Sequence, residues 1–351
     1  MEILYICSTY IPASGGSEIS SHTVLKELVK MGHKCTVITF SNDNADMEQI
    51  DGVQIHRISV DSPFKYIKNI CNKKIPSFIL TSLGWSDVAI LFAKSKNIPV
   101  GLFIHALDDN LDISAKGKYS VDLVFSNSEF TRKKIREQFG IDSLVLYPAI
   151  NLSEYRAKGS SHKYITMINP IDMKGGLMFK SIAKMMPKSK FLAKVGWRNL
   201  RKNGTWDIRK LNHIAKTYKA KLLIPEEHSI VLPNIWLVNN ELTMNEIYGL
   251  TKILLVPSIY EETFCRVIIE AMSNSIPVIA SNIGGIPEAM GGAGILIDDF
   301  LDVNNWMYKI NKLTNDKKYY KQLSSECKKR AGRYDYVKEV KKLEKAMMAI
   351  L

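Results

Sequence analysis

Between Ile253 and Ala280 the chain runs through four patterns in close succession. Ile253-Leu254-Leu255-Val256 is a continuous apolar run, Pro257-Ser258 stop it, and a polar loop carries Glu261 and Glu262. A helical pattern then places Val267, Ile268, Ala271 and Met272 on one side, and a second apolar run follows at Pro277–Ala280. Short uninterrupted apolar runs suit strands buried on both faces, and the spacing between them suits a crossover helix. A strand, loop, helix, strand unit of this kind admits few architectures: its strands lie parallel and its crossover is right-handed.

The same alternation fills the chain. In the first part, strands are expected at Glu2–Cys7, Lys34–Phe40, Val53–Ser59, Val88–Phe92 or nearby, Val100–His105, Leu123–Ser126 and Leu144–Tyr147. Helices are expected at Glu18–Lys30, opened by the Gly15-Gly16 turn, and at Glu129–Phe139, capped by Ser128. After the polar link Asn151–Lys163 the pattern restarts, with strands at Tyr164–Ile168, Phe191–Gly196, His228–Leu237, Ile253–Val256, Pro277–Ala280 and Gly294–Ile297. Helices fall at Gly175–Met186, Met244–Leu250 and Cys265–Asn274. The tail Tyr319–Leu351 reads as helical with a break near Gly332, and Val337, Val340, Leu343, Met347 and Ile350 recur at helical spacing. At 351 residues the chain exceeds what one core usually supports. The reading is α/β, with domains at residues 1–151 and 152–335 and a final helix at 336–351.

Ligands of parallel sheets collect at the carboxyl ends of strands, where the next helix offers free N–H groups and the positive end of a dipole to an anion. Thr263, Phe264, Cys265 and Arg266 sit at such a point. Glu262 and Glu270 are eight residues apart, about 12 Å along the axis were the helix continuous at about 1.5 Å per residue. Carboxylates accept hydrogen bonds from vicinal hydroxyls, so a sugar at Glu262, a ribose at Glu270 and a diphosphate at the helix start form one consistent arrangement. Taken singly, each is equally well a solvated surface charge.

This stretch resembles the donor-site signature of the family 4 retaining glycosyltransferases of the GT-B fold, in which Glu, seven residues, Glu precede Ala-Met, Pro-Val and Gly-Gly-x-x-Glu. Here these are Glu262, Glu270, Ala271, Met272, Pro277, Val278, Gly284, Gly285 and Glu288. Further stretches are similar to other parts of the family in the same order: Tyr10-Ile11-Pro12 with Gly15-Gly16-Ser17-Glu18 and Met31-Gly32-His33, then Val124-Phe125-Ser126-Asn127-Ser128, Tyr147-Pro148 and Met173-Lys174-Gly175-Gly176. The resemblance implies two Rossmann-like doubly wound domains facing each other across a cleft, the first binding acceptor and the second donor, with the last helix returning to the first domain. It implies transfer of a sugar from a UDP- or GDP-linked donor to a glycan, lipid-linked or other hydroxyl acceptor.

In the implied site, stabilising the diphosphate leaving group falls first to Lys174, whose flanking glycines let backbone approach a phosphate. Asn169 stands where most relatives carry an arginine, and a neutral amide donates a hydrogen bond without neutralising charge. Arg266, Arg198 or a helix end would then supply the rest. Cys265 replaces a usual glycine and either narrows the sugar pocket or packs as a small group. His105, with Asp108-Asp109-Asn110 after it, resembles the histidine that lines sugar and acceptor; the alternative is a strand cap. Gly15 and Gly16 offer N–H groups to donor or acceptor, Asn127 and Ser128 support the site or merely cap a helix, and Trp236 and Tyr248 are neighbours of the base or core. The family reacts without a cofactor or metal, and Asp-x-Asp, the cation motif of the other main glycosyltransferase fold, is absent from the donor region. A catalytically idle nucleotide-sugar-binding protein and an epimerase of the same architecture stay open as alternatives.

Charge bears on partners. The formal net charge is +13. Lys and Arg against Asp and Glu number 16 to 16 over residues 1–152, 17 to 2 over 156–221, 3 to 11 over 222–311 and 12 to 5 over 312–351. Basic stretches concentrate anions, which fits a nucleoside diphosphate, an anionic membrane surface or simple solubility. No nucleic-acid-binding signature accompanies them, so nucleic acid is not the expected partner. Cys7, Cys35, Cys71, Cys265 and Cys327 are odd in number and scattered, so neither a disulfide nor a structural zinc is expected. With no apolar run near 18 residues and a strand-like, leaderless start, the expectation is a cytoplasmic protein, with peripheral contact at the inner membrane face left open.

Overall fold

The computed structural model describes residues 1–13, 15–41, 46–59, 63–107, 121–159, 161–195, 232–238 and 242–351. The chain forms two compact units, Met1–Ile150 with Asp335–Leu351, and Asn151–Tyr334.

In the first unit the order is β1 (Glu2–Cys7), α1 (Gly16–Lys30), β2 (Lys34–Phe40), β3 (Asp46–Ile50), β4 (Val53–Ile58), α2 (Phe64–Lys73), β5 (Phe78–Ser82), α3 (Ser86–Ser95), β6 (Val100–Ile104), β7 (Leu123–Ser126), α4 (Glu129–Phe139) and β8 (Leu144–Val145). They build one sheet in the order β3-β4-β2-β1-β5-β6-β7-β8, parallel except for the β3–β4 pair. Side chains alternate across the pleat: Ile3, Tyr5 and Cys7 join a core with Leu25 and Leu28 of α1, while Leu4 and Ile6 join another with Ala89 and Phe92 of α3.

One expectation fails here, and one strand was not foreseen. Val88–Phe92 is helical, because Ala89, Ile90, Phe92 and Ala93 share a buried side and Leu91 turns outward. The strand is instead Phe78–Ser82, buried at every position. The hairpin strand β3 is too polar to announce itself, and its signal lay in the turn: Asp51 and Gly52 both have positive φ, 50° and 81°, as a tight hairpin turn of this type demands.

The second unit runs β9 (Tyr164–Ile168), α5 (Gly176–Met185), β10 (Phe191–Lys194), β11 (Ile235–Val238), α6 (Met244–Leu250), β12 (Thr251–Val256), α7 (Arg266–Ser273), β13 (Val278–Ser281), α8 (Ile286–Met290), β14 (Ile295–Ile297), α9 (Val303–Asn315) and α10 (Lys317–Ala331). Its sheet is parallel in the order β11-β10-β9-β12-β13-β14. From β9 the chain builds outward to β11, and from β12 outward the other way to β14. The neighbours β9 and β12 therefore mark the point where winding reverses, and the loops after them open a crevice at the carboxyl edge. Gly196 and His228–Val231, within two expected strands, lie outside the described residues.

The last helix, α11 (Tyr336–Met348), belongs to the first unit. Asp335 caps it by accepting from the N–H groups of Val337 and Lys338, and Val340, Leu343 and Met347 enter the α1 side of the core. Glu344 meets His33 at 2.6 Å, and Lys342 Nζ donates to the Val145 carbonyl at 2.6 Å. Ile350, expected on the same apolar stripe, lies beyond the helix and is exposed. All five cysteines are buried free thiols.

Candidate functional site

The crevice of the second unit is shaped by two loops held in register by glycines. After β9, Asn169 takes a left-handed conformation (φ 54°), which asparagine tolerates better than most residues. A single 3-10 turn, Asp172–Lys174, follows, and Gly175 (φ 81°) leads into α5. A Cβ on Gly175 would overlap the Pro257 carbonyl, and Ile259 N–H donates to the Met173 carbonyl at 3.0 Å, so this loop lies directly on the one after β12. From the other flank Gly285 N–H donates to the Glu262 carbonyl at 2.6 Å, and a Cβ on Gly284 or Gly285 would strike the backbone of residues 261–263. Both glycine motifs thus serve as spacers that fix the acidic loop between them.

That clamping brings two of the expected residues together. Lys174 Nζ lies 2.9 Å from Glu262 Oε2, while Ser258 Oγ donates to Glu262 Oε1. The Cys265 thiol also hydrogen-bonds the carboxylate, and Lys174 Nζ sits 5.9 Å from the centre of the Tyr260 ring. Glu262 is 4% exposed, whereas the Lys174 side chain keeps 26% of its surface. Burial pulls the lysine pKa down, but the charge of Glu262 outweighs it and leaves Lys174 above the ordinary lysine range. Burial raises Glu262 in turn, yet Lys174 and the Ser258 hydroxyl bring it below the usual carboxylate value. The pair is therefore ionised at neutral pH. Lys174, Glu262, Ser258 and Cys265 line a hollow of about 220 Å³, counting its open mouth, floored by Met167 and Leu255. Ser258, read only as part of the strand stop, and Tyr260 were not expected at the site; their only signal was their place just after a strand-ending proline.

Glu270 does not line that hollow. Helix α7 begins only at Arg266, after Cys265 in a left-handed conformation (φ 75°), so Glu262 lies off the helix and the axial spacing of two grips on one helix does not apply. Glu270 is 4% exposed; its Oε2 accepts from the Tyr248 hydroxyl at 2.8 Å and its Oε1 faces Arg266 Nε at 3.4 Å. Arg266 Nη2 donates to the Tyr155 hydroxyl at 3.0 Å. Arg266, Glu270, Tyr155 and Tyr248 thus form a separate buried network. Tyr248 is fully buried, as a core residue is, while Trp236 is half exposed on β11 beside Tyr164. Phe264 is buried with its ring centre 6.5 Å from that of Tyr334, and Thr263 is half-buried with its carbonyl against Gly285. The Asn169 side-chain oxygen is buried with no hydrogen-bond partner among the described residues. Arg198 lies outside them.

His105, Gly15 and Gly16 belong to the first unit. Gly15 is the N-cap of α1, and its carbonyl accepts from Ile19 N–H at 3.1 Å. Glu18 is buried and accepts from the hydroxyls of Thr9 (2.8 Å) and Ser17 (2.7 Å), which ties the glycine turn to the end of β1. His105 follows β6, its ring nearly parallel to that of Phe103 at 5.8 Å and its Nε2 3.4 Å from Ser21 Oγ. Ser128 caps α4 through Thr131 N–H, and Asn127 accepts from the Thr131 hydroxyl and donates to the His105 carbonyl. Residues 108–110 lie outside the described set.

Comparison with known proteins follows the same division. Residues 14–154 match the model of Glycosyltransferase Family 4, and residues 217–330 match that of Glycosyl transferases group 1. Both parts of the chain thus match glycosyltransferase families, neither match covering half of it. Both parallel-sheet units align with solved GT-B structures. Sucrose-phosphate synthase from Thermosynechococcus elongatus superposes with a TM-score of 0.76 at 17% identity, covering 100% of this chain and 99% of that one. Anabaena HepE in complex with UDP-glucose gives 0.76 at 13% identity, covering 99% and 100%. At such identities the likeness speaks for the fold. Among curated proteins, the D-inositol 3-phosphate glycosyltransferase of Corynebacterium diphtheriae is 30% identical over 100 residues, 28% of this chain and 23% of that protein. The spore coat protein SA of Bacillus subtilis is 33% identical over 90 residues, 25% and 22%. The match thus spans under a quarter of either relative. Among the described residues no helix is long and apolar enough to cross a membrane, and no three His, Cys, Asp or Glu side chains are grouped as metal ligands would be.

Proposed function

We propose that the protein is a retaining, metal-independent glycosyltransferase that moves a sugar from a UDP- or GDP-linked donor to a hydroxyl of a glycan, glycolipid or other glycoconjugate. The observation that carries this reading is the Lys174–Glu262 pair, 2.9 Å apart in a hollow at the winding reversal of a parallel sheet. The two family matches and the UDP-glucose named for Anabaena HepE agree with a nucleotide-sugar donor.

In this account Glu262 keeps Lys174 ionised and aimed until a diphosphate arrives, and the ammonium then turns part of its charge to the phosphate oxygens. Glu262, still held by Ser258, accepts from sugar hydroxyls. The acceptor oxygen bonds to the anomeric carbon on the face from which the diphosphate leaves; the carbon–oxygen bond to the diphosphate breaks, and the acceptor proton passes to the departing phosphate oxygen. The protein acts from a cytoplasmic site, with its basic surface available to an anionic membrane.

A second reading, binding without turnover, is favoured by one observation. Asn169 brings no charge to the loop, so Lys174 is its one cation at the hollow, and that cation already has a carboxylate partner. Incubation with a panel of UDP- and GDP-sugars and a mixture of sugar, lipid and glycan acceptors, followed by assay of free nucleoside diphosphate and of the anomeric configuration of any product, separates the two. Donor-dependent release with a retained configuration supports the transferase; saturable binding without release supports the idle form.

A further inference from the structure

Tyr260 reaches the Lys174–Glu262 pair from the same loop that carries the carboxylate. Ile259 N–H donates to the Met173 carbonyl at 3.0 Å, and only a glycine fits at 175 against the Pro257 carbonyl. Residues 259–260 therefore lie on the turn that ends in Lys174. The ammonium sits 5.9 Å from the Tyr260 ring centre. That is at the outer edge of contact with a ring face, about 6 Å, and it is the phenol hydroxyl that hydrogen-bonds the ammonium. An ammonium has three N–H groups to give. Glu262 Oε2 takes one at 2.9 Å and the Tyr260 oxygen another, while the Lys174 side chain keeps 26% of its surface for a third partner. A phenol that accepts still has its own O–H to donate. Both Glu262 oxygens are already engaged, by Lys174 and by Ser258, and among the described residues the Tyr260 O–H meets no acceptor.

We propose that Tyr260 is a further phosphate-contacting residue: its oxygen accepts from Lys174, and its O–H donates to an oxygen of the nucleoside diphosphate that the lysine meets. The inference rests on the transferase reading and adds a second proton donor to its diphosphate site. Charge is scarce in that loop, since Asn169 is neutral and Glu262 holds part of the lysine's charge. A hydroxyl cannot replace a cation. It can, however, be aimed in advance at the oxygen where negative charge develops, which spares reorganisation during the reaction. A hydrogen bond to an ionised oxygen is also stronger than one to a neutral acceptor, and accepting from an ammonium polarises the O–H further. The proton stays in place for this role. Burial first, and then the charge of Glu262, push the Tyr260 hydroxyl above the ordinary tyrosine range, so it remains a donor at neutral pH.

The test titrates UDP and GDP by calorimetry into the full chain as wild type and as Tyr260→Phe, which keeps the ring and removes the hydroxyl alone. Urea melts confirm that the variant is folded. For the nucleotide that the wild type binds, the expected result is about tenfold weaker binding by Tyr260→Phe, the usual scale for a lost hydrogen bond to a charged group. Equal affinities overturn the proposal, because the ring then serves packing only. Salt separates direct contact from an indirect effect. A neutral donor is not screened, so the loss should be the same at low and high salt. A loss that vanishes at high salt means that the hydroxyl only aims the ammonium, and it overturns the phosphate contact. A wild type that binds neither nucleotide overturns the transferase reading and this inference with it; a wild type that binds one, matched by Tyr260→Phe, overturns the inference alone.

Discussion

Removing one member of the Lys174–Glu262 pair should be far more damaging than removing both. At 2.9 Å the gross attraction is about 6 kcal/mol with an effective dielectric constant of about 20. Much of that offsets desolvation, so the pair itself contributes little net stability, whereas an orphaned buried charge is costly. Lys174→Ala leaves Glu262, 4% exposed, with only Ser258 and Cys265 as side-chain partners among the described residues. Breaking a fully buried pair costs about 3–5 kcal/mol, and the partial exposure of the lysine lowers the expectation to about 2–4 kcal/mol. Lys174→Met with Glu262→Gln removes both charges and retains a hydrogen-bond acceptor for Ser258. Most of the loss should return, giving a coupling energy of about 1.5 kcal/mol or more. The pH dependence has a definite sign. Lys174 is raised when folded, so its contribution is complete below the ordinary lysine value of 10.5 and fades as pH climbs through the folded value. Glu262 is lowered, so its contribution is complete above 4.5 and fades as pH falls through the folded value. The deficit of Lys174→Ala should thus shrink as acid protonates the orphaned carboxylate. Urea unfolding followed by hydrogen exchange in β12 reports the second unit specifically. Additivity within about 0.5 kcal/mol, or a deficit unchanged from neutral pH to below 4.5, would refute the reasoning.

Gly175→Ala combines a left-handed backbone with an overlap on the Pro257 carbonyl, and should cost about 2 kcal/mol or more and weaken nucleotide binding, both measurable by urea melts and calorimetry. Tyr248→Phe deprives Glu270 Oε2 of its donor inside a closed network, for an expected loss of about 1–3 kcal/mol in the same melts. Glu339 behaves oppositely to Glu262. Burial raises its folded pKa, so the wild type gains stability as pH falls through that value toward 4.5. Glu339→Gln should abolish that slope and be at least as stable at neutral pH, as thermal melts across pH will show.

The parallel architecture was legible because its strands are buried on both faces: Ile253–Val256 and Phe191–Leu192 carry uninterrupted apolar residues that no surface helix requires. Val88–Phe92 misled for the same reason, since these five residues of α3 are all apolar and all but Leu91 are buried or half-buried against the sheet. At the site, Lys174 and Glu262 were readable from their positions after β9 and β12, the strands where winding reverses. Their direct pairing was not, because it depends on Gly175 letting one loop settle on Pro257. Glu270 and Arg266 were readable as polar groups at the start of α7, but the network they share was not. Their partners Tyr155 and Tyr248 lie over a hundred residues upstream of Arg266 and in the preceding helix, and no local pattern connects them.

The account turns on Lys174 as the cation that meets a diphosphate in the second unit. Calorimetric titration of UDP and GDP into the wild type and into Lys174→Met/Glu262→Gln tests this directly, because the double variant keeps the net charge of the pair and the packing of the loops. Binding of one of the two nucleotides at least tenfold more tightly by the wild type is the predicted result. Equal affinity of both proteins for both nucleotides would contradict it.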